Sequence, residues 1–110
     1  MNKLQIRLFT TAFFLVSICS VSAVDITVVN NDAFAFKIEH REHKHGSWSK
    51  WHSNGDISQN NDKVFSLHDS DHHEYRAYSE TRRCVLSEYK GDSFKSKKKW
   101  TVGMSGGSLE

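Results

Sequence analysis

The stretch Ala33-Phe34-Ala35-Phe36-Lys37-Ile38-Glu39-His40 decides the fold class. Phe34, Phe36, Ile38 and His40 fall on one side of a period-two pattern. Ala35, Lys37, Glu39 and Arg41 fall on the other. Side chains of a β-strand point alternately to opposite faces, so this segment reads as a strand with one buried and one wet face. The pattern repeats on both sides of it. Asp25 to Asn30 reads as a preceding strand with Ile26 and Val28 inward. Asn30-Asn31-Asp32 supplies turn chemistry, since Asn and Asp tolerate left-handed backbone. Downstream, Lys63 to His68 places Phe65 and Leu67 inward, and His72 to Ser79 and Arg83 to Tyr89 follow. Lys98 to Met104 is the last clear strand, with Trp100, Val102 and Met104 on one face. Ser53 to Asp62 reads as turn-rich, and Ser105 to Glu110 is expected to fray. No sustained helical period occurs in this part of the chain. The expected fold is all-β, a small antiparallel sandwich or barrel of six to eight short strands.

The first 23 residues follow a different logic. Lys3 and Arg7 precede an apolar run, Leu8 to Val16, broken only by threonines, and Val21-Ser22-Ala23 offers small residues to a signal peptidase. This is the pattern of a cleaved secretory signal, too short and interrupted for a stable membrane span. Cys19 follows Ile18, which is a poor lipoprotein setting. The expected organisation is a signal peptide over residues 1–23 and one domain over 24–110, secreted or periplasmic.

Removing that segment changes the charge balance. The whole chain has 15 Lys+Arg against 13 Asp+Glu, and two of the basic residues lie in the signal, so the remainder is neutral. A nucleic-acid partner is therefore not expected. The Lys95-Ser96-Lys97-Lys98-Lys99 run reads as a solvated turn and protection of a strand edge. A domain of this size is marginal without help, and secreted domains usually get it from disulfides. None can close within it, because Cys84 is its only cysteine. Its parity with Leu86 points to a buried thiol; the alternative is a disulfide between two chains.

Three features carry chemistry. His40, His43 and His45 lie close together, and His68, His72 and His73 form a second group with Asp69, Asp71 and Glu74. His43 and His45 would share a strand face and are the expected core of a metal site, with zinc or copper as the ion. The weightier reading is a set of solvated histidines without cofactor. Second, Trp48 and Trp51 flank Lys50 in a polar segment. On a strand the two rings would face opposite sides, leaving at least one exposed as a contact residue; on a loop they would lie together. Third, no phosphate loop or nucleophile elbow is present, and no enzymatic activity is expected.

Three runs of the N-terminal half resemble the aegerolysins: Ile26-Thr27-Val28-Val29-Asn30-Asn31, then Phe36-Lys37-Ile38-Glu39-His40, then Gly46-Ser47-Trp48-Ser49-Lys50-Trp51. The match covers about Asp25 to Asp56, with Ser49 in place of a glycine. The resemblance implies a β-sandwich that binds membrane lipid, with Trp48 and Trp51 in the lipid-facing segment. The function expected from the sequence is thus a secreted, non-enzymatic binding module. Its partner would be a membrane lipid, glycan or protein receptor, met through Trp48, Lys50 and Trp51. A histidine-based metal-binding protein and a small effector or inhibitor are the alternatives.

Overall fold

The computed structural model describes residues 22–110; the signal segment expected over residues 1–23 lies, apart from its last two residues, outside the described residues. Nine strands run in chain order: β1 Ala23–Asn30, β2 Phe36–Lys44, β3 Ser47–Trp48, β4 His52–Ile57, β5 Asp62–His68, β6 His73–Ser79, β7 Cys84–Lys90, β8 Lys99–Gly103 and β9 Gly106–Leu109. They form two sheets. One has the order β5-β1-β8-β9; the other has the order β3-β2-β6-β7, with β4 also paired to β2. The expected all-β class holds, with one exception to antiparallel pairing: β1 and β8 run parallel.

Alternation builds the core. Ile26 and Val28 of β1, Phe36 and Ile38 of β2, Phe65 and Leu67 of β5, and Trp100 and Val102 of β8 are all buried between the sheets. The turn after β1 is held from within. Asn30 is buried; its Nδ2 donates to the carbonyls of Phe34 and Ile57, each at 2.9 Å, and its Oδ1 accepts from the Asp32 amide at 2.7 Å. Asp32 is buried as well and receives two bonds from the Arg82 guanidinium, at 2.8 and 3.0 Å. That pairing holds the Asp32 carboxyl below its ordinary range, chiefly through the bond from Arg82.

Four sequence expectations are corrected. Phe34 is 42% exposed, because the Asn30 turn keeps residues 31–35 out of β2, and its ring lies 5.0 Å from the Arg82 guanidinium. The segment read as turn-rich contains β4, which borrows order from β2 through an edge pairing that bulges at Ile38/Glu39. The tail read as frayed pairs with β8 as β9, and Met104 sits 69% exposed at that hairpin's tip. Cys84 is exposed, not buried. Its parity with Leu86 fails because Tyr78 pairs Val85 while Ala77 pairs Ser87, leaving Leu86 as a bulged extra residue. A bulge re-aims every side chain on one side of it. Leu86 and Ser87 therefore both point inward, and Cys84 points out.

Candidate binding face and the histidine cluster

The two faces of β2 carry two different assemblies. On the outer face the register with β6 sets Lys37 opposite Tyr78, Glu39 opposite Arg76 and Arg41 opposite Glu74. Opposite charges on directly facing strand positions attract, and here they close into ion pairs. Arg76 Nε donates to Glu39 Oε1 at 2.7 Å, and the Arg41 guanidinium binds Glu74 Oε1 through Nε at 2.8 Å and Nη2 at 2.7 Å. Lys37 Nζ lies 3.0 Å from Glu80 and 3.6 Å from Glu39, which raises its pKa, Glu80 being the larger cause.

The tryptophans lie on these guanidiniums. Arg41 Cζ is 4.8 Å from the Trp48 ring centre and 4.7 Å from that of Trp51. Arg76 Cζ is 4.1 Å from Trp51 and 5.3 Å from Tyr78. A guanidinium against an indole face is a favourable cation–π contact that fixes both partners. Trp48 and Trp51 therefore share one face, both half-exposed, instead of facing opposite sides as a continuous strand would require. The reason is local. His45 and Gly46, both with positive φ (52° and 83°), make a two-residue hairpin turn that sends β3 back along β2. Positive φ at both central positions is the turn geometry whose twist matches a hairpin. β3 then stops after Trp48. The Ser49 amide donates to the Glu42 carbonyl at 2.8 Å, and the Glu42 amide donates to Ser49 Oγ at 3.0 Å. Ser49 Oγ also donates to the Lys50 carbonyl at 3.0 Å, so the chain turns before β4 and lays Trp51 beside Trp48. Lys50 is exposed next to both.

The same turn undoes the pairing of His43 with His45. His45 lies off the strand in the turn and is exposed, so the shared strand face on which that metal site depended is absent. His43 stays on the outer face, edge-on to Trp48 with centroids 5.0 Å apart and stacked on His72 at 6.1 Å. Among the described residues no group of three or more His, Cys, Asp or Glu side chains is arranged to hold a metal ion.

The inner face of β2 starts apolar with Phe36 and Ile38, then changes character. His40 and Glu42 come next, opposite Tyr75 and His73 of β6. His40, His73 and His68, the last residue of β5, pack on one another with centroid separations of 4.5 Å (His68–His73), 5.1 Å (His40–His73) and 6.2 Å (His40–His68). His40 Nε2 and His73 Nδ1 are 2.9 Å apart. One ring must donate and the other accept. Glu42 Oε2 lies 3.8 Å from His73 Nε2, so the assignment that suits both contacts has His40 Nε2–H donating to His73 Nδ1 and the one N–H of His73, on Nε2, facing Glu42. Burial, reinforced by neighbouring histidines, pushes His40 down to about 4 and lowers His73 from its ordinary value. His68 Nδ1 is buried without a hydrogen-bond partner. Tyr75 lies stacked under His40 at 4.8 Å, its hydroxyl accepts from the His68 amide at 2.8 Å, and burial raises its pKa. The loop that carries this cluster is seated on Gly91, where any β-carbon would collide with the carbonyls of His68 and Ser70.

Of the residues singled out from sequence, Trp48, Trp51 and Lys50 come together; His43 joins their face and His45 does not. Sequence reasoning missed Arg41 and Arg76, which hold the tryptophans, Tyr78, which lies against Arg76, and the inward trio of histidines. The sign alternation along Lys37, Glu39 and Arg41 was visible, but its match to β6 required the register.

No protein-family model, no curated protein and no solved structure matches the chain.

Proposed function

We propose that the chain is an exported, non-enzymatic binding module that docks a protein partner on the outer face of the β2–β6 sheet. The observation that carries this reading is that Trp48 and Trp51 are half-exposed on one face and already held by Arg41 and Arg76. Tryptophan, tyrosine and arginine are the residues that dominate protein–protein hot spots. A ring fixed before binding has little rotamer entropy left to lose, which favours affinity. The charges argue against an anionic membrane surface. Lys37, Arg41 and Arg76 are paired with Glu39, Glu74 and Glu80, and the exposed Lys50 beside the tryptophans adds a single positive charge, well short of the basic cluster that an anionic membrane surface attracts.

The test compares wild-type protein with Trp48→Ala and Trp51→Ala variants. The probes are proteins secreted by the chain's own host, a glycan array, and vesicles of phosphatidylcholine with and without phosphatidylserine or sphingomyelin. The expected result is a captured secreted protein that, once purified, binds the wild type and loses at least tenfold in affinity to one variant that is still folded. Binding to the glycans or vesicles, with no purified protein partner, overturns the protein reading; the vesicle outcome is the one the aegerolysin resemblance implies. Capture undiminished by either substitution overturns the choice of face.

A further inference from the structure

The inner histidines and the outer tryptophans are joined through Glu42. Its carboxylate faces His73, its side chain lies on the cluster's side of β2, and its backbone is bonded in both directions to Ser49, between the two tryptophans. A second link runs through the next residues: the His43 amide donates to the His72 carbonyl at 2.7 Å, and His43 pairs with Trp48 across β2 and β3. We propose that His40 and His73, packed against His68, form an acid-operated latch, which holds the Ser49 turn and its tryptophans in place while the pair is neutral and releases them when the pair takes up protons. That the latch controls binding rests on the reading of the outer face given above; the latch itself does not.

The geometry supplies the mechanism. The 2.9 Å contact between His40 Nε2 and His73 Nδ1 is a bond only while a single proton lies between the two nitrogens. With both rings fully protonated, two N–H groups face each other and the contact must open. The charged groups around the pair favour the neutral state. His40 has His52 of β4, His68 of β5 and His73 of β6 near it, with Glu42 as the one acid. His73 has His68, His72 and Lys44 near it, again with Glu42 as the one acid. A single carboxylate therefore faces several bases. Added protons pull Glu42 toward His73 and drive the His40 and His73 rings apart, and both motions act on the tryptophan turn, through the Glu42 backbone and through the His72 carbonyl. The sign follows from burial. The folded state prefers the uncharged rings, so release comes as the pH falls below the ordinary imidazole range.

The experiment needs no partner, so its failure and that of the binding reading are distinguishable. The whole protein, treated with chelator and labelled with 5-fluorotryptophan, is titrated from pH 7.5 to 4 while ¹⁹F and imidazole ¹H–¹⁵N spectra are recorded. Expected is a joint transition of the Trp48 and Trp51 signals with the His40 and His73 rings, at a midpoint below the ordinary 6.5, with Trp100 unmoved. His40→Gln should cut the tryptophan shift by at least half, and His73→Gln serves the same purpose should the first variant fail to fold. Three outcomes overturn the proposal. Trp100 moving with the same midpoint means general acid unfolding. Trp48 and Trp51 moving with the His43 and His72 rings instead of those of His40 and His73 puts the sensor on the outer face. Zinc at neutral pH shifting the three rings together and raising the melting temperature makes the cluster a metal site.

Discussion

Tyr75 separates two ways of filling a core. On one side, Phe94 meets it edge-on at 5.8 Å, and Phe94, Tyr89 and Trp100 continue the contact at 5.3–5.8 Å. On the other side, His40 stacks on it at 4.8 Å and leads into His73 and His68. Both sides are layers of planar rings of similar spacing. They differ in what the rings can do. The hydrocarbon side has one polar ring atom buried deeply, Trp100 Nε1, and it donates to Ser87 Oγ at 3.0 Å. The imidazole side holds ring nitrogens whose charge depends on pH and one that has no partner. The contribution of the first layer does not depend on the charge of its rings; that of the second falls as His40 and His73 take up protons.

The largest test of this contrast is Trp100→Ala. Trp100 is fully buried, touches Phe94 and Tyr89, and lies against Gly107, where a β-carbon would collide with its ring. Deleting such a side chain removes its transfer energy and leaves a cavity, about 3–5 kcal/mol in all. For a domain this small that is a large share of the total stability. Urea unfolding should show the loss equally at pH 7.5 and pH 5. A loss confined to one pH would break the distinction between the two layers.

Acid alone is the next largest effect. His40 is pushed down to about 4 by burial, so the folded state binds fewer protons than the unfolded chain between that value and 6.5. Stability is full above about pH 6.5 and falls as the pH drops through this window. At 1.36 kcal/mol per unit, and discounted because the ring is partly open to solvent, the loss is about 1–2 kcal/mol. Urea midpoints at pH 7 and 4.5 measure it. Asp32, paired with Arg82, adds a second loss at lower pH, as its carboxylate is protonated. His40→Gln separates the two, since only the upper part of the slope should shrink, with the share of His73 remaining.

His68→Leu converts one imidazole of the second layer into hydrocarbon. The substitution removes a buried nitrogen that finds no partner, and such an atom costs about 1–3 kcal/mol to bury. Part of that gain is offset by imperfect packing of the branched side chain, leaving about 1 kcal/mol of added stability. The gain should be larger at pH 5 than at pH 7.5, because a chargeable neighbour of His40 and His73 is also gone. A variant less stable at both values would mean that the ring makes a contact worth more than its orphaned atom costs.

How far this contrast was legible in the sequence depends on which register one could see. Period-two alternation found Ile26, Val28, Phe36, Ile38, Phe65, Leu67, Trp100 and Val102 inside, because alternation is a property of one strand. It failed wherever a second strand decides the matter. β4 is written His52-Ser53-Asn54-Gly55-Asp56-Ile57, poor strand material held by its pairing with β2. The tryptophans were found, but their common face depends on a hairpin turn and a serine that caps the strand. The inward histidines come from β2, β5 and β6, so no spacing in the chain connects them. The period-two pattern put His40 on the side of Phe36 and Ile38, and that parity was the only local trace of the cluster.

The smallest expected effect concerns Cys84, and it tests the hydrocarbon side from its outer edge. The bulge at Leu86 turns Leu86 and Ser87 inward, and Ser87 accepts the Trp100 N–H, so the same irregularity that completes the aromatic layer leaves the Cys84 thiol outside. Cys84→Ser should therefore change stability by no more than about 0.5 kcal/mol, the usual range for a surface substitution away from packing. Its consequence should be covalent instead. β7 has a ladder partner only in β6 among the described residues, so its other side is a sheet edge, with exposed Val85 next to the thiol. Two chains meeting there under oxidising conditions can join through Cys84. Non-reducing electrophoresis of air-oxidised wild-type protein should show a dimer that dithiothreitol removes and that Cys84→Ser never forms. A serine variant that loses more than 1 kcal/mol would place the thiol in the packing after all, and the bulge would then not divide inside from outside as the register of β6 and β7 requires.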